Sequence, residues 1–206
     1  MLNTIGMKVI KHGKLGHKVI ENFLPEYAFG RIKQLIESVD FPYYYHDYTI
    51  RPLTGGRNQN DFMFVHSLVR EKRACSNFVD AVLYPIIDQL EVPFEQVIRS
   101  KVNLTSRSPE PTYTDFHVDQ DMDHTVALFY MTTCNGSTEL ENGVKVGCKA
   151  NQILLFDGAL KHRVVTHTNQ ENKTRITINI NIDPKPVPPN TESILIGDPR
   201  YPEAGM

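Results

Sequence analysis

The chain has 206 residues, of which 40% are hydrophobic and 22% charged, enough for one globular domain with a sizeable core. Its formal net charge of -2 argues against a broad positive surface, so a nucleic-acid partner is not expected. No apolar run reaches membrane-spanning length and no apolar signal segment is evident, so we expect a cytoplasmic protein without a membrane partner. The three cysteines are an odd, sparse set, which favours free thiols in a reducing compartment.

The N-terminal part of the chain predicts two short strands followed by two helices. The predicted elements are a strand pair at Met7–Ile10 and Lys18–Ile20, a helix from Leu24 to about Ser38, and a second helix beginning at Ser76. Pro25 is tolerated in the first turn of the first helix. Pro85 interrupts the apolar stripe of the second helix, so we expect a kink or a break there.

Residues 41–65, between the two helices, are rich in Tyr, Gly and Asn. One interpretation, which the composition favours, is a surface loop with a few anchored rings. The other is an active-site lid, because long loops in compact domains are often functional. On the second interpretation Tyr44, Tyr45 and Arg57 are candidates for substrate contact.

From residue 97 onward the apolar period changes to two, which predicts strands. On the first strand, Val97–Thr105, one face carries Arg99, Lys101, Asn103 and Thr105. Further strands are predicted at Thr125–Thr133, Thr138–Val146, Ile153–Phe156, Arg163–Thr166 and Thr174–Ile182. Asn142-Gly143 is a strong hairpin signal, and Asn169–Asn172 is interpreted as a second hairpin loop. Many short strands in series predict a jelly-roll type barrel or sandwich, supported by the helices.

We therefore expect one domain over residues 1–206, mainly β with supporting helices. Residues 1–96 would form the helical support and the lid region, and residues 97–183 the β core. Residues 184–206 contain Pro184, Pro186, Pro188 and Pro189, which predict an extended C-terminal arm.

The most informative feature of the sequence is His117-Val118-Asp119, followed by His162. Residues two apart on a strand share a face, so His117 and Asp119 can present two ligands to one ion. With His162 they would form the two-histidine, one-carboxylate set of non-haem Fe(II) oxygenases, which suits Fe(II) or Mn(II). Among the neighbouring alternatives, Asp121, Asp123 and His124 are expected in a solvated loop, and His167 at the edge of the predicted hairpin loop.

Arg175 supplies a second requirement of such a site. It follows His162 by thirteen residues and shares one face of its strand with Thr177, Asn179 and Asn181. That polar face could lie in water or line a barrel cavity. In a cavity, the planar fork of Arg175 would pair with a carboxylate of a co-substrate, with the Thr177 hydroxyl as a second donor. The predicted hairpin would put Arg175 one strand away from the metal. Together the four residues point to an oxygenase that uses Fe(II), O2 and 2-oxoglutarate.

These residues, in this order, resemble the 2-oxoglutarate/Fe(II)-dependent oxygenases, and in particular small prolyl-4-hydroxylase-type members carried by phages and bacteria. The residues that carry the resemblance are His117-Val-Asp119, Leu128-Phe-Tyr130, Gly136-Ser-Thr138, His162 and Arg175. The resemblance extends from Val19 to Ile182 and implies a double-stranded β-helix with supporting helices. It also implies that the Tyr130 hydroxyl donates to the co-substrate carboxylate and that Asn103 lies among the co-substrate contacts. Many relatives carry a tyrosine on that strand, where this chain has Thr105.

The expected function is hydroxylation of a peptide or protein side chain, or of a small amino-acid-like substrate, with release of succinate and CO2. Fe(II), 2-oxoglutarate and O2 are the expected cofactor and co-substrates, and ascorbate is a further candidate. Lys101 is expected to add a charge near the cavity and is a candidate for substrate contact. Two alternatives stay open: a cupin-like metal enzyme that does not use 2-oxoglutarate, and a non-catalytic β-sandwich binding protein. The sequence leaves the substrate and the oligomeric state undetermined.

Overall fold

The computed structural model describes residues 8–12, 16–49 and 62–184 of the chain. In chain order the strands are β1 (Lys8–His12), β2 (His17–Glu21), β3 (Tyr44–His46), β4 (Met63–Arg70), β5 (Arg73–Ala74), β6 (Phe94–Ser106), β7 (Thr125–Tyr130), β8 (Cys134–Leu140), β9 (Lys145–Cys148), β10 (Gln152–Asp157), β11 (His162–Val165) and β12 (Thr174–Pro184). The helical elements are α1 (Glu26–Ile36), a π-helical turn (Val79–Leu83) and α2 (Tyr84–Ile87), which follows that turn directly. No helix among the described residues is both long and apolar enough to cross a membrane.

The strands form two antiparallel sheets. The large sheet has the order β1-β2-β10-β7-β12-β6-β4-β3, with β5 paired to β4, and the small sheet has the order β11-β8-β9. A segment before β7 extends the small sheet, because Tyr113 and His117 form bridges to Val165 and His162 of β11. The two sheets enclose the functional residues between them, which confirms the predicted double-stranded β-helix class.

The central strands of the large sheet are buried on both faces. On β7, Ala127 and Phe129 face a core shared with the helices, whereas Val126, Leu128 and Tyr130 face the small sheet. Because side chains alternate along a strand, a continuous apolar run such as β7 is typical of a strand covered on both sides. On β12 only the helix-facing side is apolar, with Ile176, Ile178, Ile180 and Ile182. The other side of β12 is therefore left for polar residues between the sheets.

The helices cover the outer face of the large sheet, as predicted. On α1, Phe29, Ile32 and Ile36 are buried against that face. The second helical segment is irregular near Pro85, where a kink or a break was predicted: the π-helical turn ends at Leu83 and α2 begins at Tyr84. Pro85 lies in the first turn of α2, where its missing N–H removes no hydrogen bond that the helix needs.

Two local strand predictions are confirmed. β1 and β2 pair with each other, and β2 joins the large sheet by pairing with β10. β8 and β9 pair around the predicted turn, where Gly143 has a φ of +88°. That left-handed backbone conformation is accessible to glycine at low cost, which explains the strength of the Asn142-Gly143 signal.

The predicted hairpin around Asn169–Asn172 is wrong. β11 pairs with β8 in the small sheet, whereas β12 pairs with β6 and β7 in the large sheet. Residues 166–173 are therefore a crossover between sheets. A cluster of turn-forming residues ends one strand and starts the next, but it does not determine whether those two strands pair with each other. Arg175 reaches the cavity from the sheet opposite β11.

The N-terminal region contributes more strands than the sequence predicted. Residues 8–74 supply β1 to β5 to the large sheet as well as α1. Tyr44 and Tyr45, predicted in a loop or lid, lie on β3 at one edge of the large sheet. The predicted C-terminal arm was to begin at Pro184, but Pro184 still belongs to β12, where it pairs with Phe94 of β6. The rest of the predicted arm and Arg57 lie outside the described residues.

Substitution of Phe129 tests the core between the large sheet and the helices. Its ring is fully buried, with centroids 5.8 Å from Phe23 and 6.1 Å from Phe29. Phe129→Ala should lower the free energy of unfolding by about 3 to 5 kcal/mol, because a large buried ring leaves a cavity. The measurement is urea unfolding at equilibrium. Tyr27→Ala on the outer side of α1, where the ring is 75% exposed, is the control and should change stability by no more than about 0.5 kcal/mol. A loss for Phe129→Ala as small as that of the control would contradict the packing.

Candidate metal centre and its cavity

The small sheet brings His117 and His162 together. The two residues exchange backbone hydrogen bonds in both directions, each 3.0 Å long, so their side chains lie side by side. Their ring centroids are 4.3 Å apart. Asp119 follows His117 by two residues and is directed to the same place, although the strand expected there is reduced to a single bridge at His117 and Asp119 lies in the bend after it. The three residues that the sequence singled out therefore form one cluster.

The spacing of the three side chains suits a single metal ion. The ligand atoms lie within 4.8 Å of one another, and Nε2 of each histidine is 3.9 Å from an Asp119 oxygen. A distance of 3.9 Å is too long for a hydrogen bond. Two metal–ligand bonds of about 2.1 Å place their ligand atoms about 3.0 Å apart at a right angle and about 4.2 Å apart on opposite sides of the ion. The two contacts of 3.9 Å, one to each Asp119 oxygen, fall between these limits and would shorten if the ligands met at right angles. Two nitrogens and a hard carboxylate oxygen, converging without hydrogen bonds to one another, fit Fe(II) or Mn(II).

The Asp119 carboxylate is held in its ionised form. Burial opposes its charge, but His162, the Arg99 guanidinium and the amides of Asn179 and Asn181 outweigh burial and hold its pKa well below the usual range. Arg99 donates to Oδ1 at 2.7 Å, whereas Asn179 and Asn181 donate to Oδ2 at 2.9 and 3.0 Å. An ionised carboxylate is the form that a metal requires.

His162 is also in the form that a metal requires. Its side chain is buried, and burial is the main reason that its pKa is lowered to about 4 in spite of the nearby Asp119 charge. The imidazole is therefore neutral at pH 7 and has a free electron pair for a cation. The Phe156 ring packs edge-on against it, with centroids 5.0 Å apart, and limits its movement.

Asp119 is positioned by Arg99, Asn179 and Asn181. The sequence pattern indicated no role for these three residues. Each had been placed on the polar face of its strand, and that was the available signal. What the pattern could not provide was the pairing of β6 with β12, which puts Arg99 directly opposite Asn181. Such supporting groups commonly decide how well a metal ligand is oriented.

The other acidic and histidine side chains stay outside this cluster. Asp121 and Asp123 are exposed, as expected for a solvated loop. His124, expected in the same loop, is instead buried, and its ring covers Gly158, where a Cβ would lie only 2.3 Å from the ring. His167, expected at a loop edge, is fully buried because residues 166–173 cross between the sheets. Within the described ranges, the search for metal-binding groups finds only the cluster of His117, Asp119 and His162.

One cavity of about 100 Å³ connects the metal cluster to Arg175. Its lining includes Asn103, Thr105 and Thr177, all on inward-facing positions of β6 and β12. The Asn103 Oδ1 and Thr105 Oγ1 atoms are buried and have no hydrogen-bond partner among the described residues. Buried polar atoms normally have a partner, so these two atoms indicate a place where a polar ligand binds.

Arg175 is 4% exposed, and its hydrogen-bond partners among the described residues are Cys148 and Thr138. Its Nε donates to Cys148 Sγ at 2.9 Å, and its Nη2 donates to Thr138 Oγ1 at 3.2 Å. Within the described part of the chain, no carboxylate lies at ion-pair distance from its guanidinium. A buried guanidinium without a carboxylate partner is costly, and the cavity in front of it can supply that partner as a ligand.

Tyr130 reaches this region through Thr138. Its hydroxyl is fully buried and donates to Thr138 Oγ1 at 2.8 Å, and the ring packs 5.8 Å from the Arg175 guanidinium. Thr138 lines the cavity. The sequence had pointed to it only as part of the family pattern Gly136-Ser-Thr138. Its oxygen accepts from both Tyr130 and Arg175, so its own proton is left to donate into the cavity.

Cys134 and Cys148 lie opposite each other on β8 and β9, and all three cysteines are free thiols. A hydrogen bond from Cys134 and the nearby Arg175 charge lower the pKa of Cys148 to about 6, although burial opposes this shift. Cys148 therefore supplies Arg175 with a partner that is partly anionic at neutral pH.

The residues predicted to contact the substrate do not all lie at the cavity. Lys101 lines the cavity, whereas Tyr44 and Tyr45 are 62% and 61% exposed on the edge strand and are not part of its lining. Tyr45 instead packs against Phe62 and Phe64, with centroids 6.0 Å from each.

The cluster of His117, Asp119 and His162 and the buried Arg175 lie between the two sheets of a double-stranded β-helix. Solved structures agree with this fold. A prolyl hydroxylase from Trichoplax adhaerens, in complex with a peptide fragment of the hypoxia inducible factor oxygen degradation domain, aligns over 82% of this chain and 84% of its own, with 16% identity and a TM-score of 0.59.

Two further structures give similar values. A 2OG-Fe(II) oxygenase family oxidoreductase from Burkholderia pseudomallei aligns over 85% of this chain and 93% of its own, with 11% identity and a TM-score of 0.59. The non-haem α-ketoglutarate-dependent epimerase SnoN of nogalamycin biosynthesis aligns over 83% and 78%, with 11% identity and a TM-score of 0.58. No family model and no curated protein sequence matches the chain. The chain therefore has the fold of the 2-oxoglutarate/Fe(II)-dependent oxygenases.

Removal of one proposed ligand tests the metal centre. His162→Ala should weaken Mn(II) binding more than about a hundredfold, because the loss of even a supporting group typically costs ten- to a hundredfold. The binding constant can be measured by electron paramagnetic resonance of free Mn(II). His46→Ala, at an exposed position on β3, is the matched control and should bind as the wild type does. Equal affinities for His162→Ala and wild type would exclude His162 as a ligand.

Proposed function

We propose that the protein is an Fe(II)- and 2-oxoglutarate-dependent dioxygenase that hydroxylates a peptide or protein side chain, or a small amino-acid-like substrate. One observation carries the proposal: the His117, Asp119 and His162 cluster shares a cavity with Arg175, a buried guanidinium without a carboxylate partner among the described residues. A metal-binding protein of another kind would have a use for the cluster but not for the arginine. The same reasoning disfavours the cupin-like enzyme and the non-catalytic sandwich.

The residues around the cavity suit both Fe(II) and 2-oxoglutarate. His117, Asp119 and His162 would hold Fe(II), which when bound supplies O2 activation coupled to the decarboxylation of 2-oxoglutarate to succinate and CO2. The Arg175 fork would receive the distal carboxylate of 2-oxoglutarate as a bidentate pair. Thr177 and Asn103 face each other across β12 and β6 and would contribute polar contacts along the co-substrate.

Tyr130 would act on the co-substrate through Thr138. Its hydroxyl already donates to Thr138, and burial raises the pKa of that hydroxyl, so it stays protonated. The Thr138 proton is then directed away from both donors, toward the carboxylate that Arg175 binds. On this account Tyr130 is a positioning residue.

Hydroxylation is one of the reactions of proteins with this fold. Structures with this fold include a hydroxylase and an epimerase, so the fold alone does not decide the reaction. Support for a peptide substrate comes from the Trichoplax adhaerens enzyme, which was solved with a peptide. The deciding experiment is an assay of succinate release from 2-oxoglutarate with Fe(II), with and without a peptide library and a set of free amino acids. Mass spectrometry of the stimulated members should show a gain of one oxygen atom. Absence of 2-oxoglutarate turnover by protein with bound Fe(II) would overturn the proposal.

Arg175→Ala isolates the co-substrate contact. A bidentate charged pair in a partly dry cavity contributes about 2 to 4 kcal/mol when one partner is truncated. The substitution should therefore weaken 2-oxoglutarate binding by roughly thirtyfold or more, at about 1.4 kcal/mol per tenfold. The measurement is calorimetric titration of Mn(II)-loaded protein with 2-oxoglutarate.

Two further variants complete this test. Arg175→Lys should recover part of the affinity, because it keeps the charge but loses the planar fork. Arg31→Ala, at an exposed position of α1 on the opposite side of the large sheet, should bind as the wild type does. Mn(II) affinity should be similar in all of them. An unchanged 2-oxoglutarate affinity in Arg175→Ala would show that the arginine has another role.

A further inference from the structure

We propose that the cavity recognises an anionic group of the substrate, a carboxylate or a phosphate, and that the Lys101 ammonium is its binding partner. The inference rests on the proposed function and deepens it, because it names the charge of the substrate. It starts from a cation that nothing in the described structure neutralises.

Lys101 is directed into the metal cavity. It lies on β6, with Asn179 of β12 opposite it on one side and Ser67 of β4 on the other. Strand alternation puts it on the same face as Arg99 and Asn103, and all three line the cavity. Its position opposite Asn179 places it at the level of the metal cluster, since Asn179 donates to Asp119.

Among the described residues, the Lys101 ammonium has no anionic partner within ion-pair distance. It makes no hydrogen bond and no ion pair with the residues that the structure describes. Asp119 is the carboxylate that acts on it, but Arg99 already donates to one Asp119 oxygen and two asparagine amides donate to the other. Burial, followed by the Arg99 and Arg70 charges, lowers the pKa of Lys101 more than Asp119 raises it. An anion bound at this position would remove that penalty.

The charge surplus persists when the metal and co-substrate are added. The charged lysine, arginine and carboxylate side chains of the cavity lining are Arg99, Lys101, Arg175 and Asp119, which leave two positive charges in excess. The Cys148 thiolate beside Arg175 reduces this excess to about one, and that remaining charge is not at Arg175. An Fe(II) dication and a 2-oxoglutarate dianion cancel each other. Arg175 would use the distal carboxylate, so the remaining excess is concentrated around Lys101 and Arg99.

A third cation strengthens the field at the same place. The Arg70 guanidinium donates to the Ser67 hydroxyl at 3.4 Å, and Ser67 is the β4 neighbour of Lys101. Arg70 is exposed and its charge acts on Lys101, so it adds long-range attraction rather than a buried contact. A lysine offers a point charge without the planar fork of arginine, which suits either a carboxylate or a phosphate.

Lys101 is well separated from the arginine that would bind the co-substrate. Thr105 is the β6 neighbour of Arg175, and Lys101 precedes Thr105 by four residues. That interval corresponds to about 13 Å along the strand. One co-substrate carboxylate at Arg175 and the other at the metal leave the Lys101 ammonium available to a second molecule.

The test uses the full chain loaded with Mn(II) and 2-oxoglutarate, after both have been shown to bind. The probes are N-acetyl-aspartate amide and its neutral isostere N-acetyl-asparagine amide, together with N-acetyl-phosphoserine amide and N-acetyl-serine amide. Binding is measured from the broadening of probe NMR signals by Mn(II), which reports only molecules close to the metal. At least one acidic probe should bind at least about tenfold more tightly than its neutral partner, the size expected of one charge-assisted contact. Preference for the aspartate or for the phosphoserine probe identifies the carboxylate or the phosphate as the recognised group.

Variants test whether the preference for acidic over neutral probes depends on Lys101. Lys101→Met should remove it, and Lys101→Arg should keep most of it. Lys145→Met, at an exposed position on β9, should leave it intact. The affinity for 2-oxoglutarate should be the same in all of these proteins.

Several outcomes would overturn the proposal. They are equal binding of acidic and neutral probes, no broadening by either acidic probe, or an acidic preference that survives in Lys101→Met. A tenfold loss of 2-oxoglutarate affinity in Lys101→Met would assign the ammonium to the co-substrate instead. Failure of the wild type to bind Mn(II) or 2-oxoglutarate is observed before any probe is added, and it would remove the proposed function as well.

Discussion

The arrangement of the site depends on one buried carboxylate that must stay ionised. Asp119 lies between two imidazoles, with a side chain only 6% exposed, in a place where a lone charge would be strongly disfavoured. Arg99 and two asparagine amides compensate for that burial. Because those donors come from β6 and β12, the pairing of these two strands in the large sheet is a condition for the metal cluster. The cluster therefore joins the two sheets: the histidines come from the small sheet and the supporting donors from the large one.

β6 and β12 each contribute one face to the hydrophobic core and the other face to the cavity. Their outer faces carry aliphatic residues such as Val102 and Ile178, which are fully buried against the helices. Their inner faces carry the arginines, the lysine and the amides that line the cavity. A polar face of this kind is stable inside the protein only when its groups are paired or when a ligand completes them. Among the described residues, Asn103 Oδ1, Thr105 Oγ1 and the Lys101 ammonium have no partner and Arg175 has no carboxylate partner. All four residues lie where a metal, a co-substrate and a substrate would meet.

Period-two patterns in the sequence were sufficient to predict which side chains face inward. The alternation in Thr174–Ile182 separated Arg175 from Ile176 correctly. His117 and Asp119 converge as predicted, but a bridge followed by a bend brings them together rather than a regular strand. Pairing between distant strands was not predictable, because it depends on contacts far apart in sequence. For that reason the turn-forming residues around Asn169 were mistaken for a hairpin, and the role of Arg99 was missed. His124 and His167 were placed at the surface, since a polar neighbourhood in sequence does not exclude burial by another strand.

One consequence follows from the geometry of β12. Its inward positions run from Arg175 through Thr177 and Asn179 to Asn181, and the last two touch the carboxylate of the metal cluster. Successive inward positions are separated by about 6.6 Å, the repeat of the pleat. On the proposed function, β12 therefore sets the distance between the metal and the basic residue. That distance can change along the strand only by whole repeats of the pleat. Moving the basic residue to another inward position would change the length of dicarboxylate that fits by one whole step. Smaller changes in this distance have to come from the length of the side chain. Arginine and lysine at position 175 would therefore suit dicarboxylates of slightly different length.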